Sequence, residues 1–287
     1  MMTNLYKAFL PLRLSLFLVG VALLAGCASE GNQGAGKGPV LYGAGVVERP
    51  QDLGLVQVAT IDSLLAGVYD GVMSFGELKQ KGNFGIGTVD RLDGEMLMLW
   101  GDVYQVRSDG RVYLPPDDVT TPFASVLFFR PTLRMGVKGP LNYLTLSEFM
   151  DDLVPQKNIP VAVHIRGKFA SMKTRSVPAQ EPPYPPLVEV TRNQPEFELG
   201  KVEGDVVGFR LPDYLKGINV PGYHLHFLSA DRTAGGHILA MELEEGEIQV
   251  ELVHDFHLIL PVDSVGFAEV DLSLDRSEEL RQVESER

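Results

Sequence analysis

The segment Gly222-Tyr-His-Leu-His-Phe-Leu-Ser-Ala-Asp-Arg-Thr-Ala-Gly-Gly-His237 decides most of what the sequence predicts about this chain. It carries His224, His226 and His237, three of the six histidines in the 287 residues. Residues two apart on a strand point to the same face, so His224 and His226 can converge on one point. The polar, glycine-rich residues 230–236 predict a turn that leads into a second strand.

The predicted hairpin brings the third histidine to the first two. If residue 229 faces residue 236, then residue 228 faces residue 237, and His237 lies on the face of His226, one diagonal step away. Three imidazoles suit zinc or another late first-row metal, and they leave a coordination position open. The alternative is a set of hydrogen-bonded, inert histidines, but the spacing favours a metal site.

The N-terminus has the pattern of an export signal. Lys7 and Arg13 precede the apolar run Leu14–Ala25, which is too short for a comfortable membrane span and ends in Leu24-Ala25-Gly26-Cys27. This pattern predicts a lipoprotein signal peptide over 1–27, a lipid anchor on Cys27 and a flexible tether over 28–38. The expected location is periplasmic or extracellular. A plain secretory signal with an incidental cysteine is the alternative.

Charge and cysteine content exclude several classes of protein. The formal charge of the whole chain is −13, and the signal peptide holds two basic and no acidic residues, so the mature chain carries −15. Such an acidic chain argues against nucleic acid as a partner. Cys27 is the only cysteine, so the folded part has no disulfide and no thiolate metal ligand. The oligomeric state stays open, with a homodimer among the arrangements considered.

The remaining patterns predict an α+β fold dominated by sheet, with two packed mixed β-sheet subdomains, few helices and the metal site near their junction. The subdomains are expected over 39–160 and over 161–287, which ends in an acidic tail. The expected strands, helices and turns are a strand over 55–59, a helix over 60–72, a meander over 82–114, a helix opened by a capping box at 145–148, strands over 125–129, 161–169, 197–201, 206–211 and 247–260, and a turn at Gly246.

Few other residues have a pattern that points to chemistry. Arg166 and Arg175 flank the end of a predicted strand, where an arginine can clamp a carboxylate with two parallel hydrogen bonds. A surface ion pair is the simpler interpretation of either one alone. His164, His254 and His257 are interpreted as ordinary core or surface histidines. Spacing alone therefore predicts a three-histidine metal site and leaves the reaction open.

Three segments resemble the alpha-acetolactate decarboxylase family: Gly85–Glu95, Lys173–Pro178 and Gly208–His237. The resemblance implies the decarboxylation of 2-acetolactate to acetoin and carbon dioxide, with one zinc ion. It implies these positions: metal ligands His224, His226 and His237; catalytic residues Arg175, Glu95 and Glu284; and substrate-binding residues Arg175 and Thr88. The tail offers both Glu284 and Glu286, and Glu284 is preferred. Which glutamate donates the proton is left open.

Two other functions compete with this one. A metal- or ligand-binding lipoprotein without catalysis would want four protein ligands and no pocket glutamates. A cupin-like oxygenase or hydrolase also places His-x-His on a strand, but it usually adds a glutamate a few residues later. The next acid after His226 is Asp231, in the predicted turn, so the cupin pattern fits poorly.

Overall fold

Two seven-stranded sheets form most of the structure, a computed structural model that describes residues 42–46 and 54–284. Side chains are described for 54–284. The predicted signal peptide (1–27) and tether (28–38) lie outside the described residues, and so does Glu286. The strands are β1 Tyr42–Val46, β2 Gly54–Val58, β3 Met73–Ser74, β4 Phe84–Thr88, β5 Glu95–Leu99, β6 Asp102–Val106, β7 Val112–Tyr113, β8 Thr120–Thr121, β9 Ala124–Leu127, β10 Leu133–Asn142, β11 Val161–Arg175, β12 Glu196–Glu198, β13 Val202–Leu211, β14 Gly222–Ser229, β15 Gly235–Leu252 and β16 Asp255–Ile259.

The helices are few and short. They are α1 Ile61–Leu65, α2 Phe75–Lys79, α3 Tyr143–Leu153, α4 Leu187–Thr191, α5 Val265–Glu269 and α6 Ser277–Glu284. None of the helices in the described part of the chain is long and apolar enough to cross a membrane. The predicted α+β class, dominated by sheet, is confirmed.

The first sheet, here called the barrel sheet, has the order β1-β10-β15-β14-β13-β11-β12, with β15 also paired to β11. The extra pairing closes β11, β13, β14 and β15 into a small barrel. Its interior is apolar, and the rings of Phe169 and Phe227 meet edge to face inside it, 5.5 Å apart. Because the ring is closed, β14 and β15, the strands of the histidine hairpin, each pair with a further strand on the outer edge of the hairpin.

The second sheet, here called the meander sheet, has the order β16-β2-β9-β4-β5-β6-β7. The predicted turns at Gly94, Gly101 and Gly110 are present, and each glycine has a positive φ, as a tight turn requires. The meander sheet packs on the barrel sheet through apolar residues of both, among them Phe84 and Phe209, whose ring centroids lie 6.3 Å apart. The β4–β5 hairpin therefore faces the histidine strands.

Strand pairing crosses the predicted division between residues 160 and 161. β10 joins the barrel sheet beside β15, and β16 returns to the meander sheet beside β2 in a parallel pairing. These pairings do not test whether the two segments fold as units, so the division stays a prediction.

Two predicted helix features were wrong. The helix expected over 60–72 ends after Leu65, and Gly67 has a φ of +95°, a left-handed conformation that does not continue a helix. The capping box at 145–148 is not the start of α3. Asn142 caps that helix, because its side chain accepts a hydrogen bond from the backbone N–H of Thr145.

The turn predicted at Gly246 was also wrong, because β15 runs through it without a break. Gly246 lies directly opposite Gly167 on β11, and a Cβ at Gly246 would lie 2.8 Å from the carbonyl oxygen of Arg166. The missing side chain of Gly246 allows two strands of the barrel to lie close together, and the chain does not reverse there. The strand expected over 247–260 is instead divided between β15 and β16, which belong to different sheets.

Candidate active site

Strand register places three site residues side by side across the barrel sheet. His226 on β14 pairs with His237 on β15, and His237 pairs on its other edge with Arg175 on β11. Directly paired residues project from the same face of a sheet, so all three side chains point to one place. His224 precedes His226 by two residues and joins the same face.

The predicted register of the hairpin was wrong by two residues, although its consequence holds. His226 lies directly opposite His237, not diagonally to it. The chain turns one residue earlier than expected, and the Ser229 backbone N–H already donates to the Ala234 carbonyl. Asp231 organises the turn, because it accepts hydrogen bonds from the Ser229 hydroxyl and from the Thr233 backbone N–H. A shift of two residues preserves the alternation of faces, so His237 still points toward the other two histidines.

The three histidines form a compact, buried group. Their side-chain nitrogens lie within 4.8 Å of one another, and their ring centroids are 5.0–5.4 Å apart. Burial lowers the pKa of His224 to about 3, with a further contribution from the charge on Arg175. Burial also lowers the pKa values of His226 and His237 well below the ordinary value. The imidazoles are therefore neutral, which is the form that binds a metal.

A contact with the meander sheet fixes the orientation of His226. Its Nδ1 donates a hydrogen bond to the backbone carbonyl of Met96, at 3.1 Å. That bond leaves Nε2 as the nitrogen with the free lone pair, and Nε2 is buried with no hydrogen-bond partner among the described residues. A backbone carbonyl behind a metal-binding histidine is the usual arrangement that fixes its tautomer. The residues therefore fit a metal ion at this place.

Two glutamates border the histidines, Glu95 buried and Glu284 partly buried. An Oε2 of Glu95, the first residue of β5, lies 3.5 Å from Nε2 of His226. An Oε2 of Glu284, the last residue of α6, lies 3.6 Å from Nε2 of His237. Burial raises the pKa of Glu95 to about 7, Arg175 lowers it and Glu284 raises it. Burial likewise raises the pKa of Glu284, and Arg175 opposes this shift. Both acids thus hold protons more tightly than exposed glutamates do.

The guanidinium of Arg175 completes the group. The residue is 3% exposed, and its Nη2 lies 3.8 Å from an oxygen of Glu284. Its Nη1 donates a hydrogen bond of 2.8 Å to the side-chain oxygen of Gln194. Thr88, on β4, pairs with Glu95, and its hydroxyl donates to the carbonyl of Gly94. The structure therefore brings together every site residue that the sequence predicted.

A small cavity of about 50 Å³ opens among these groups. Thr88, Glu95, Arg175, His224 and His237 line it together with Glu284. The opposite wall is apolar and comes from the short helices and loops around them: Ile61, Leu64, Leu92, Phe123, Val177, Leu187 and Val283. A polar end with one guanidinium, neutral imidazoles and two carboxyl groups, facing an apolar wall, suits a small polar organic acid.

Comparison with known proteins shows which family the chain belongs to. The family model for alpha-acetolactate decarboxylase matches residues 55–274. The chain belongs to the alpha-acetolactate decarboxylase family. It is 45% identical to the alpha-acetolactate decarboxylase of Methanosarcina mazei over 230 residues, covering 80% of each chain. It is 41% identical to that of Methylococcus capsulatus over 235 residues, covering 82% of this chain and 90% of the relative.

A solved member of the family has the same fold. The crystal structure of alpha-acetolactate decarboxylase from Bacillus subtilis strain 168 matches with a TM-score of 0.79 and 35% identity, over 81% of this chain and 99% of that one. The predicted family is therefore confirmed, and the fold built above is the fold of this family.

Other residues singled out in the sequence lie away from this cavity. Arg166 is exposed and lines a separate surface groove of about 510 Å³ on the barrel sheet. His164 pairs with Asp205 at 2.9 Å, on the side where the two sheets pack. His254 and His257 are exposed. These positions agree with their interpretation as core and surface residues.

Sequence reasoning missed Gln194 and the apolar wall of the cavity. Gln194 lies 19 residues from Arg175 in a loop after α4, and nothing in its local sequence marks a contact with an arginine. The wall residues Leu92, Leu187 and Val283 look like ordinary core positions in the sequence. Only the packing of α4 and α6 over the histidine strands gives them a place in the site.

Proposed function

We propose that this chain is a carboxy-lyase that converts 2-acetolactate to acetoin and carbon dioxide, with a zinc ion bound by His224, His226 and His237. The observation that carries the proposal is the row of Arg175, His237 and His226 across three adjacent strands, with Glu95 and Glu284 beside it. The family supports it, because the relatives named above are alpha-acetolactate decarboxylases.

The donor set favours zinc over harder or softer ions. Three neutral imidazoles without a thiolate are typical of catalytic zinc, which keeps a further position for substrate. Cys27 is the only cysteine in the sequence, and the described residues 54–284 that form the site contain none, so no thiolate competes. When bound, zinc would supply a positive charge that stabilises negative charge developing on the substrate oxygens.

Arg175 is the group that binds the substrate carboxylate. The breaking bond joins the carboxylate carbon to the α-carbon, and its electron pair moves into the adjacent ketone. That movement requires the bond to stand perpendicular to the carbonyl plane, so the carboxylate must be held in one orientation. A buried guanidinium on a strand end can hold it with two parallel hydrogen bonds. Excessively tight binding would slow the step, because the carboxylate loses its charge as carbon dioxide leaves.

Glu95 and Glu284 are the two proton donors available to the product. The α-carbon must gain a proton after carbon dioxide leaves, and both carboxyl groups line the cavity. Burial raises the pKa of each, so each is disposed to carry a proton to transfer. The variants Glu95→Gln and Glu284→Gln separate them: the donor's variant is expected to form acetoin that has lost its enantiomeric purity, or none.

The chain is also proposed to be exported and anchored to a membrane by a lipid on Cys27. The support is the pattern of residues 1–27 alone. Wild-type protein is expected in the membrane fraction, and Cys27→Ala is expected to release it to the soluble fraction. Equal membrane association of both proteins would refute the anchor.

The enzymatic proposal is tested on protein that begins at Pro39. Acetolactate is supplied, acetoin is measured by a colour reaction, and bound metal is measured by mass spectrometry. We expect one zinc per chain, acetoin formation that stops when a chelator removes the metal, and recovery on adding zinc back. Zinc-loaded protein that makes no acetoin would favour the binding lipoprotein instead. Full activity after complete removal of the metal would refute the zinc mechanism.

A further inference from the structure

We propose that Gln194 is a positioning residue: it holds one end of the Arg175 guanidinium so that the Nε–Nη2 edge faces the substrate carboxylate. The inference rests on the proposed function, since it concerns how that reaction's substrate is oriented. Gln194 does not line the cavity, so it acts through Arg175 and not on the substrate itself.

One nitrogen of the Arg175 guanidinium, Nη1, already has a hydrogen-bond partner, whereas the edge formed by Nε and Nη2 has none among the described residues. Nη1 donates to Gln194 at 2.8 Å. Nη2 lies 3.8 Å from Glu284, beyond hydrogen-bond distance. Nε is buried and has no hydrogen-bond partner within the described part of the chain. A buried donor of a charged group is costly to leave unpaired, so this edge points to a ligand that supplies acceptor oxygens.

The shape of the guanidinium makes the choice of Nη1 informative. The group is planar, with its five N–H donors in a fixed fork, and Nε–H and one N–H of Nη2 run parallel along one edge. Two parallel donors match the two oxygens of a carboxylate. An acceptor on Nη1 prevents the group from swinging about its last side-chain bonds, and it leaves that edge free. Gln194 thereby fixes which edge the substrate meets.

The backbone around Gln194 is tied to the strand end that carries Arg175. The backbone N–H of Gln194 donates to the Thr191 carbonyl at the end of α4. The next residue, Pro195, accepts a hydrogen bond from the backbone N–H of Ser176, and β12 then pairs with Arg175. The amide of Gln194 is therefore held at a constant distance from the guanidinium, as a positioning role requires.

The test uses two ligands that differ by a carboxylate. One is the diol acid obtained by reducing the ketone of acetolactate, and the other is butanediol, which is the same molecule with hydrogen in place of the carboxylate. Their affinities for zinc-loaded protein are measured by calorimetry, alongside kcat and KM for acetolactate. The variants are Gln194→Met, which keeps the size and removes the acceptor, Gln194→Asn, which withdraws it by one methylene, and Gln194→Glu, which retains an acceptor oxygen. Gln180→Met is the matched control, because the Gln180 side chain donates only to backbone carbonyls of its own loop.

Gln194→Met and Gln194→Asn are expected to weaken binding of the diol acid and to lower kcat/KM by roughly tenfold, the lower end of the effect of one hydrogen bond to a charged group. Butanediol affinity and zinc content are expected to stay at wild-type values. Gln194→Glu should bind the diol acid as the wild type does. Gln180→Met should leave both affinities and the kinetic constants unchanged. In an Arg175→Ala background, Gln194→Met should have no further effect on the acid.

Several results would overturn the inference. One is an unchanged affinity for the diol acid in Gln194→Met and Gln194→Asn. Another is an equal loss of affinity for the diol acid and for butanediol, because a merely structural role would weaken binding of both ligands. If Gln194→Met still weakens binding of the diol acid by the full amount in the Arg175→Ala background, the inference is also wrong. If Gln194→Met does not fold, Gln194→Asn and Gln194→Glu decide the outcome by the same comparison. A failure of the proposed function is distinguishable, because wild-type protein would then make no acetoin.

Discussion

Replacing Arg175 by lysine is the sharpest test of how this site binds its substrate. The change keeps a positive charge in the pocket and removes the planar fork. In the structure the guanidinium is 3% exposed, donates to Gln194 and approaches Glu284 with Nη2. A lysine ammonium offers its donors from one point, so it can form one strong bond to a carboxylate but cannot form two parallel bonds.

The expected loss follows from the number of bonds removed. One hydrogen bond that involves a charged group contributes about 1.5–3 kcal/mol, most of it realised only when the partner is desolvated in the cavity. Each 1.36 kcal/mol changes a rate about tenfold, so Arg175→Lys should lower kcat/KM by roughly 10- to 150-fold. Zinc binding should be unchanged, because the backbone carbonyl of Met96, not Arg175, supports His226.

The assay is steady-state acetoin formation across a range of acetolactate concentrations, with zinc content measured on the same samples. Arg166→Lys is the matched control, because Arg166 lies on the same strand but is exposed and lines a separate groove. It is expected to keep wild-type kcat/KM. Wild-type kinetics in Arg175→Lys, or an equal loss in Arg166→Lys, would refute the assignment of the carboxylate to Arg175.

Three further changes test other parts of the structure. His226→Ala should lose both bound zinc and acetoin formation, whereas His257→Ala, on an exposed strand position, should lose neither; zinc retained by the first variant would contradict the ligand set. Burial raises the pKa of Asp205, but hydrogen bonds from its histidine and arginine partners outweigh burial and hold that pKa below 3.8. Its stabilising effect is therefore present above 3.8 and is lost as the pH falls through the folded pKa. Asp205→Asn should lower the free energy of unfolding by about 2 kcal/mol at neutral pH and by progressively less as the pH falls below 3.8, measured in urea. A Cβ on Gly208 would collide with the carbonyl oxygen of His224 across β13 and β14, so Gly208→Ala should lower zinc affinity, and unchanged affinity would show that the strand pair can adjust.

The histidine hairpin shows how far local sequence patterns reach. Alternation along a strand places His224 and His226 on one face whatever the rest of the chain does. The hairpin return of His237 was predictable for the same reason, because the glycines and polar residues before it mark a loop. The exact register was not predictable, since hydrogen bonds among the side chains of Ser229, Asp231 and Thr233 set the loop length. The predicted register differed from the observed one by two residues. Because side chains alternate between faces along a strand, this even shift left His237 on the predicted face.

Glycines were harder to interpret, because one residue type serves different purposes. Gly94 and Gly101 make turns, and their sequence neighbours predicted this. Gly246 also looked like a turn, but it permits two strands of the barrel to approach each other at Gly167. The partner strand lies about 80 residues earlier in the chain, so no local pattern distinguishes the two uses.

The sequence by itself determined the metal-binding face and, through its resemblance to a family, the residues that gather around it. Covalent geometry dictates which side chains share a face of a strand, and this information is local. The tertiary structure alone decided that Glu95 and Glu284, far apart in the sequence, lie beside those histidines, and that Gln194 holds Arg175. Those contacts arise from sheet packing and from the docking of α6, which depend on many distant apolar residues at once. The positions of the two glutamates and of Gln194 are therefore properties of the folded molecule, whereas the histidine face is already present in one strand and its hairpin.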